Sequence, residues 1–489
     1  MMVLEPLIRN AETAPQRVAV IDDHGSYTAG QLWHATRQLM VDISAATQKN
    51  TVGILLPASA GFVTAFYATL AAGKVAVPIN FLLGPREIGH IIQDSGIDTI
   101  ITAPPLAAKL EGMPINVLDL SKLDPQRPPA AAEPARAAAG DLALLLYTSG
   151  TSGLPKGVRL THGNLHEDVR SCIEHADLLP EHRFLGIVPL FHSTGMLATM
   201  LVPMGLGATM VYVARFSPVA TIKAVRQHAI SVLVGVPSMY GAVLRLKDAG
   251  PEDFAQLFVA ISGGEPLPST IREAFKARFN KPIHEGYGLT ETIGPVCFNH
   301  PHAAEAGSVG RPIPRAEIRI EGDDGQPLGP NQTGEVLLRG PMIMEGYHNL
   351  PAETAAAITP EKFFRTGDLG HIDDNGYLHI TGRKKDLIIV SGEKVYPREV
   401  EELLITHEAI AEAAVVSRPD ESRGEAVVAF VVAKPEQTVT VESVKKFCRD
   451  AGMIGWKIPK DVYVVEDLPR SPTGKVLKRE LAAKVREGL

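Results

Sequence analysis

The sequence predicts an α/β protein with a large N-terminal domain, built of doubly wound α/β subdomains and a small antiparallel β unit, and a small α+β C-terminal domain. Over residues 1–120, short β-type runs alternate with helical stretches, which is typical of a parallel sheet covered on both faces. From about residue 316, Asp-Gly and Asn-Gly turns separate short runs, which favours antiparallel strands. After Gly382 the chain is more strongly charged, and about a hundred residues remain, enough for an independent domain.

The first part of the chain has the apolar pattern of a β-α-β-α-β unit. Short runs rich in Val, Ile, Leu and Thr predict strands, and the longer stretches between them predict helices. We therefore expect strands at residues 52–56, 75–79 and 99–102, and helices at residues 58–72 and 85–95.

A linker rich in Pro and Ala, residues 125–139, separates this unit from a second α/β segment. That segment begins with an apolar strand, a glycine-rich turn and a second short strand, and the antiparallel β unit follows it. The predicted strands are residues 142–146, 158–160, 232–236 and 257–261 in the segment, and residues 317–320, 334–339 and 376–380 in the β unit.

The glycine-rich turn, residues 147–157, is a candidate phosphate-binding loop. Its sequence is Tyr-Thr-Ser-Gly-Thr-Ser-Gly-Leu-Pro-Lys-Gly. Glycines let backbone N–H groups approach a ligand closely, and the lysine supplies a point charge for phosphate. It is not a Walker A loop, because its lysine is followed by glycine. The alternative to a phosphate-binding loop is a flexible turn without a ligand. The candidate ATP-binding residues are Thr148, Ser149, Gly150, Thr151, Ser152, Gly153 and Lys156.

The composition argues against several classes of protein. Hydrophobic residues make up 45% and charged residues 21%, which is typical of a globular enzyme, and a net charge of −7 gives no reason to expect nucleic acid as a partner. The three cysteines are far apart and have no ligand spacing, so we expect neither a disulfide framework nor a zinc site.

The sequence also argues against membrane insertion and export. Residues 184–214 lack Asp, Glu, Lys and Arg, but prolines and glycines divide them into pieces too short to cross about 30 Å of hydrocarbon. The first ten residues lack the apolar region of a signal peptide. We therefore expect a cytoplasmic protein with no integral membrane segment.

Further motifs follow the loop in a fixed order. Each is short, but together with the loop they extend over nearly the whole chain. They resemble the adenylate-forming superfamily of acyl-CoA synthetases, adenylation domains and luciferases, and look most like a bacterial fatty acyl-CoA synthetase. The motifs are Ser-Gly-Gly-Glu at 262–265, Gly-Tyr-Gly-Leu-Thr-Glu at 286–291, Thr-Gly-Asp at 366–368, Gly-Arg-Lys-Lys-Asp at 382–386 and Pro-Arg-Ser-Pro-Thr-Gly-Lys at 469–475.

The resemblance implies an ATP site that extends beyond the loop. It places Tyr287 against adenine, and Asp368 and Arg383 on the ribose. Taken alone, Tyr287 is better explained as a core residue, and Asp368 is equally well explained as an exposed turn residue, so these alternatives stay open from the residues themselves. The other residues that the resemblance assigns to ATP are Gly263, Gly264, Glu265 and Gly288.

The resemblance also assigns catalytic residues. Glu291 is a hard carboxylate suited to Mg²⁺, and the resemblance gives it that role with Thr148 nearby. Thr290 is implied to hydrogen-bond phosphate. Lys475 is implied to be the catalytic lysine, since a carboxylate that attacks a phosphate ester meets like charge and a fixed cation helps most in the transition state. In isolation, such a lysine is usually solvated.

The resemblance implies two domains, and the second is expected to rotate between the two steps of the reaction, adenylate formation and thioester formation. Residues 1–384 form the large ATP- and acyl-binding domain, and residues 385–489 form the small domain that carries Lys475, with the hinge at Lys385. Ser391 and Gly392 are implied to face the pantetheine of coenzyme A, because glycine allows close approach.

The expected acyl pocket is apolar. The segments expected to line it are residues 191–196, 235–240 and 286–288, and they hold no Asp, Lys or Arg. A second charge on the substrate would therefore be left unpaired, at a cost on the order of several kcal/mol. His192 has no second residue at metal-ligand spacing, which argues against a metal site. The resemblance places His192 at the mouth of the pocket, and the alternative is a core histidine with one hydrogen bond. The candidate residues are His192, Ser193, Val236, Met239 and Gly286, with Met196 and Tyr240 in the same segments.

The implied function is acid activation. ATP, with Mg²⁺, converts a small-molecule carboxylic acid into an acyl-adenylate, and coenzyme A then displaces AMP to give the thioester. A medium- or long-chain fatty acid is expected, and a benzoate- or cinnamate-like aryl acid is the alternative. A carrier-protein thiol as acceptor and a catalytically inactive binding relative are further alternatives, although the intact Lys475, Glu291 and Asp368 argue against the inactive relative. A homodimer is left open.

The assignment of Lys475 gives a specific prediction. Lys475→Ala is expected to lower ATP–pyrophosphate exchange by orders of magnitude and to spare thioester formation from preformed acyl-adenylate, because only the first step joins two anions. Measuring both half-reactions separately tests this, and an equal loss in both would contradict the assignment.

Overall fold

The computed structural model describes residues 2–124, 126–128, 132–148, 154–470 and 476–487. The chain divides into two compact units, and the residues of each unit contact mainly one another. Unit 1 comprises Met1–Pro266, Ala274–Glu317 and Leu338–Phe364, and unit 2 comprises Leu267–Glu273, Ile318–Leu337 and Arg365–Leu489.

Helices and strands alternate through most of the described chain. In chain order the helices are α1 Glu5–Thr13, α2 Ala29–Ala46, α3 Ala60–Ala71, α4 Pro85–Ser95, α5 His162–His175, α6 Ser193–Met196, α7 Val202–Leu206, α8 Pro218–His228, α9 Pro237–Leu244, α10 Ser269–Phe279, α11 Pro351–Ala357, α12 Pro397–Leu404, α13 Val441–Asp450 and α14 Lys478–Arg486. Within the described ranges, no helix combines the length and the apolar character needed to cross a membrane.

The strands are short, as is usual for α/β proteins. They are β1 Val18–Asp22, β2 Gly25–Thr28, β3 Thr51–Leu55, β4 Val75–Pro78, β5 Thr99–Thr102, β6 Asn116–Asp119, β7 Leu142–Thr148, β8 Lys156–Thr161, β9 Arg183–Gly186, β10 Thr209–Tyr212, β11 Val232–Gly235, β12 Val259–Ser262, β13 Ile283–Gly288, β14 Pro295–Phe298, β15 Arg311–Pro312, β16 Glu317–Glu321, β17 Gly334–Arg339, β18 Gly346–Tyr347, β19 Phe364–Ile372, β20 Leu378–Arg383, β21 Ile388–Val390, β22 Glu393–Val395, β23 Ile410–Asp420, β24 Gly424–Ala433 and β25 Asp461–Val465.

Unit 1 contains two mixed sheets. Among the described residues, one sheet has the order β18-β8-β7-β4-β3-β5-β6 and the other has the order β15-β14-β13-β12-β11-β9-β10-β1-β2. The inner strands are parallel, and the antiparallel pairs lie toward the sheet edges. Together with the antiparallel β unit and the C-terminal α+β segment described below, this arrangement confirms the predicted α/β fold class.

The strands beside the candidate phosphate loop belong to the same sheet as the predicted β-α-β-α-β unit. β7 pairs in parallel with β4, with Leu144 opposite Ala76. The expectation that this loop begins a separate α/β segment is therefore wrong at β7 and β8. Periodicity identifies a strand but not its partners, so the sequence alone had no signal for this sheet membership.

Local chemistry explains why several predicted elements have the expected bounds. Helix α4 spans the predicted residues because Pro85 occupies its first turn and Gly96 ends it with φ at 68°. Helix α3 begins later than predicted, where the Ser59 hydroxyl accepts from the Phe62 N–H over 3.3 Å. It is apolar on all sides because it is buried on nearly all sides.

Unit 2 contains the antiparallel β unit and the C-terminal α+β segment. Among the described residues, the β unit is a sheet of order β16-β17-β19-β20, most of whose residues lie in unit 2. The C-terminal sheet has the order β22-β21-β24-β23, and β25 pairs with β24. Its core is built from buried aliphatic side chains of these strands and of α12 and α13, such as Ile388, Val400, Val415 and Val444.

The compact units do not follow the predicted division between residues 384 and 385. Unit 2 groups the antiparallel β unit with the C-terminal segment, whereas the sequence analysis groups it with residues 1–384. A grouping by contacts does not locate a hinge, so the two-domain division and the hinge at Lys385 stay predictions.

Candidate functional site

The candidate residues fall into two groups, one in each unit, and each group is described by itself. Unit 1 carries the ends of the phosphate loop, the segment around Glu291 and the acyl candidates, and unit 2 carries the segments around Asp368 and Ser391. The candidates that lie outside the described residues, and whose roles therefore stay predictions, are Ser149, Gly150, Thr151, Ser152, Gly153 and Lys475.

Thr148 and Lys156 form the base of the candidate phosphate loop. Thr148 ends β7 and Lys156 begins β8, and the antiparallel register places them opposite each other. The Thr148 hydroxyl lies 3.5 Å from the Lys156 carbonyl oxygen. β7 is fixed by its buried leucines, such as Leu144 and Leu145. Both ends of the loop are therefore held on ordered strands, with a threonine and a lysine at opposite positions of the strand pair.

Tyr347 connects this base to Glu291, and the sequence analysis missed it. It lies in β18, which pairs with β8 and places Tyr347 opposite Val158. The Tyr347 hydroxyl donates to Glu291 Oε1 over 2.7 Å, and Lys156 Nζ lies 5.6 Å from the centroid of the Tyr347 ring. Burial, and next the charge of Glu291, raises the pKa of the Tyr347 hydroxyl, so it stays protonated and donates.

Glu291 sits in a tight and unusual turn. Residues Thr290–Thr292 form one 3₁₀ turn, and the next residue, Ile293, is fully buried with φ at 58°. A β-branched residue with positive φ is an outlier that its surroundings must hold in place. The Ile293 N–H donates to the Thr290 carbonyl over 3.0 Å, and the Thr292 hydroxyl donates to the Gly294 carbonyl over 2.6 Å. The turn therefore presents Thr290 and Glu291 in a fixed orientation.

The side chains near the loop fit a magnesium ion that is bound mainly by phosphate. Mg²⁺ prefers hard oxygen ligands and usually takes only one or two carboxylates from the protein. Glu291 supplies a carboxylate, and the predicted second ligand, Thr148, supplies a hydroxyl. In the part of the chain that the structure describes, no group of three or more His, Cys, Asp and Glu residues is arranged to hold a metal. One carboxylate and one hydroxyl are hard oxygen donors that would fit Mg²⁺.

The second group of glycines lies at the carboxyl ends of neighbouring parallel strands. β11 ends at Gly235, β12 ends just before Gly263, and β13 runs on to Gly288. The Gly263 N–H donates to the Gly235 carbonyl over 3.3 Å. Gly264 has φ at 83°, where other residues are strained. Ligands of open α/β sheets bind at such carboxyl ends, so the position supports a binding site.

Tyr287 is presented by the same edge of the sheet. It is half-buried, and it pairs with Cys297 of β14. A Cβ on the next residue, Gly288, would lie 2.0 Å from the Gly294 carbonyl oxygen, so only glycine fits there. The close approach brings the strand that carries Tyr287 against the turn that carries Glu291. Glu265, which follows Gly264, is also half-buried.

The acyl candidates lie where two parallel strands of this sheet end. His192 and the buried Ser193 follow β9 and begin α6, and the His192 N–H donates to the Pro189 carbonyl over 3.1 Å. Val236 follows β11, and its Cγ1 lies 3.9 Å from the place of a Cβ on Gly264. The structure thus brings the acyl candidate Val236 next to the ATP candidate Gly264.

The other members of the pocket segments differ in exposure. Met239 is half-buried at the start of α9, and its N–H donates to the Val236 carbonyl over 3.0 Å. Met196 is fully buried, and Tyr240 is buried with its hydroxyl 2.8 Å from the Ile261 carbonyl oxygen. The hydroxyl of Tyr240 therefore satisfies the backbone of the sheet.

In unit 2, Asp368 and Arg383 form a cross-strand pair. The register of β19 and β20 places them opposite each other, and Arg383 Nε lies 2.8 Å from Asp368 Oδ1. Asp368 is only 4% exposed, and it lies within β19. The alternative of an exposed turn residue is therefore wrong. A carboxylate has about four lone-pair positions, so one that is paired with a guanidinium can also accept from hydroxyl groups.

Lys385, Ser391 and Gly392 follow this pair along the chain. Lys385 is exposed in the 3₁₀ turn Lys384–Asp386, directly after β20. Ser391 and Gly392 form the two-residue turn between β21 and β22, with φ at 54° and 87°. Positive φ at both positions is typical of a type I′ hairpin turn. The Ser391 N–H donates to the Arg423 carbonyl over 2.8 Å, which anchors the turn.

A cavity of about 400 Å³ opens beside this turn. Arg423 and Trp456 were not predicted from the sequence to be site residues, because both are distant from Ser391 along the chain. Trp456 is 38% exposed, which is unusual for so large an apolar side chain. The residues that line the cavity are Val390, Ser391, Glu393, Arg423, Gly455 and Trp456.

Comparisons with known proteins cover almost all of the chain. The family model for AMP-binding enzymes matches residues 7–348, and the model for the AMP-binding enzyme C-terminal domain matches residues 399–475. A feruloyl-CoA synthase from Amycolatopsis sp is 32% identical over 486 residues, which cover 97% of each chain. A long-chain-fatty-acid–CoA ligase from Bacillus subtilis (strain 168) is 32% identical, over 88% of this chain and 84% of the relative.

Solved structures agree with these matches. The o-succinylbenzoate CoA synthetase from Bacillus subtilis, in complex with its acyl-adenylate intermediate, matches with a TM-score of 0.89 at 29% identity, over 97% of each chain. The same synthetase in complex with ATP and a magnesium ion matches with a TM-score of 0.88.

The pair in unit 2 gives a prediction about nucleotide affinity. If Asp368 accepts from the ribose hydroxyls, Asp368→Asn is expected to weaken ATP binding about 10- to 100-fold, since hydrogen bonds to a charged group contribute about 1.5–3 kcal/mol. Isothermal titration calorimetry measures the Kd for ATP. Asp373→Asn is the matched control. It also removes a carboxylate, which lies just after β19 and pairs with His379 of β20. An ATP affinity equal to that of the control would contradict a ribose role for Asp368.

Proposed function

The chain belongs to the AMP-binding enzyme family, and we propose that it joins an apolar carboxylic acid to coenzyme A through an acyl-adenylate. The family models match residues 7–348 and 399–475. Relatives that are acid–CoA ligases match over nearly the whole chain. The chain is accordingly an AMP-forming acid–CoA ligase, and the identity of the acid is the finer part of the proposal.

The observation that carries the choice of acid is the absence of charge in the acyl segments. Residues 191–196, 235–240 and 286–288 include no Asp, Glu, Lys or Arg. The acyl candidate Val236 lies next to Gly264, and Met239 is half-buried in the following turn. A second charge on the substrate would lose its hydration against these side chains without gaining a partner. An acid with an apolar tail avoids that cost.

We propose a medium- or long-chain fatty acid as the first candidate and an aryl acid as the second. The fatty acid is supported by the likeness to the long-chain-fatty-acid–CoA ligase. The aryl acid is supported by the likeness to the feruloyl-CoA synthase, which extends over a larger share of the chain. Apolar lining alone does not separate a chain from a ring, so the two candidates are distinguished by assay.

In the proposed first half-reaction, the carboxylate attacks the α-phosphorus of ATP and pyrophosphate leaves. Lys156 and Thr148, at opposite positions of the strand pair at the base of the loop, would hold the β- and γ-phosphates of the leaving group. Glu291 and Thr148 would hold Mg²⁺, which neutralises charge on phosphate oxygens. Lys475, outside the described residues, would bridge the carboxylate and the α-phosphate.

In the proposed second half-reaction, the thiol of coenzyme A loses its proton and attacks the acyl carbonyl, and AMP leaves with the oxygen that it received from the acid. The cavity beside Ser391 supports a site for the acceptor in unit 2. The guanidinium of Arg423 suits a phosphate, and the half-exposed indole of Trp456 suits a stacked adenine. Coenzyme A carries both of these groups.

AMP release from a panel of acids tests the proposal. Octanoate, palmitate, ferulate, benzoate and glutamate are supplied with ATP and magnesium, with and without coenzyme A. We expect acid-dependent AMP release that coenzyme A accelerates, and the highest kcat/KM with octanoate or palmitate. A preference for ferulate or benzoate would select the aryl candidate.

Other outcomes of the same panel would reject parts of the proposal. A preference for glutamate would contradict the apolar pocket. AMP formation that coenzyme A does not accelerate would point to another thiol as the acceptor. ATP binding without AMP release from any acid would favour an inactive binding relative.

A further inference from the structure

Tyr347 is placed between the two charged groups on which the proposed first half-reaction depends. Its hydroxyl donates to Glu291 Oε1 over 2.7 Å, and Lys156 Nζ lies 5.6 Å from its ring centroid. A hydrogen bond to an ionised acceptor is stronger and more directional than one between neutral groups. A cation near an aromatic ring is also attracted to it. One side chain therefore contacts both the carboxylate and the lysine.

The backbone around Tyr347 explains how it keeps this position. The Met344 N–H donates to the Glu291 carbonyl over 2.8 Å, the Glu345 N–H to the Arg159 carbonyl over 3.0 Å, and the His348 N–H to the Gly157 carbonyl over 2.7 Å. The segment 344–348 is thus bonded at one end to the Glu291 turn and along its length to β8. The Tyr347 N–H itself donates to the Thr354 hydroxyl over 2.9 Å.

We infer that Tyr347 is a positioning residue for the magnesium-binding carboxylate of Glu291. Held in place by the segment 344–348, it keeps Glu291 and Lys156 in a fixed relative position. This inference rests on the proposed function, which gives Glu291 its metal role. By donating to Oε1, the phenol restricts the rotation of the Glu291 carboxylate. Partners of this kind, which hold a ligand without touching the metal, typically affect metal affinity or activity by about 10- to 100-fold.

Replacing the hydroxyl alone tests the inference. Tyr347→Phe keeps the ring beside Lys156 and removes only the hydrogen bond to Glu291. We expect the magnesium concentration that half-saturates ATP binding to rise about tenfold or more, as measured by isothermal titration calorimetry with ATP, increasing magnesium and no acid. ATP–pyrophosphate exchange should fall at low magnesium and recover largely at high magnesium. A loss of core packing would not recover with the metal.

Tyr212→Phe is the matched control. Tyr212 ends β10 in the other sheet of unit 1, and its buried hydroxyl donates to the Thr199 carbonyl over 2.8 Å. The control variant therefore loses a phenol hydrogen bond of similar length. We expect its magnesium requirement to equal that of the wild-type protein.

A double variant tests whether Tyr347 acts through Glu291. In a Glu291→Gln background, Tyr347→Phe should add no further increase in the magnesium requirement, because the carboxylate that it positions is already absent. Additive effects would overturn the inference, as would an unchanged magnesium requirement in Tyr347→Phe alone. Failure of the proposed function would give a different result. The wild-type protein would then form no acyl-adenylate, but calorimetry would still show that Tyr347→Phe raises the magnesium requirement for ATP binding.

Discussion

The antiparallel pairing of β18 with β8 is the constraint on which the candidate site of unit 1 depends. β8 begins at Lys156, at the end of the candidate phosphate loop, and it is held on its other side by β7. β18 brings Tyr347 to that strand from a point nearly two hundred residues further along the chain. Tyr347 of this strand and Met344, just before it, also bond to Glu291, the first through its hydroxyl and the second through its N–H. The segment that contains this two-residue strand thus joins two motifs that are far apart in the sequence, the candidate phosphate loop and the Glu291 turn.

A second constraint is close approach of backbone at the carboxyl ends of the parallel strands. Gly288 and Gly294 lie so near each other that a Cβ on Gly288 would meet the Gly294 carbonyl oxygen at 2.0 Å. The outlying φ of Ile293 is part of the same turn, and full burial of its side chain helps to hold it. Strain of this kind is typical of segments that must present a functional side chain, here Thr290 and Glu291, in one orientation.

The sequence predicted those features that depend on neighbouring residues. The strand at Thr99–Thr102 and the helix at Pro85–Ser95 have the expected bounds because β-branched runs, an N-terminal proline and a C-terminal glycine act locally. The sheet membership of β7, by contrast, was predicted wrongly, because pairing is a long-range property. Tyr347 was missed for the same reason, since its partner Glu291 is 56 residues away and no motif surrounds it. The Asp368–Arg383 contact depends on register, which periodicity does not specify.

The path of oxygen during the reaction tests the acyl-adenylate chemistry most directly. Octanoate labelled with ¹⁸O in both carboxylate oxygens is converted with ATP, magnesium and coenzyme A, and AMP and pyrophosphate are analysed by mass spectrometry. Attack of the carboxylate on the α-phosphorus predicts one labelled oxygen in each AMP formed and none in pyrophosphate. Unlabelled AMP, or label in pyrophosphate or inorganic phosphate, would contradict the proposed route.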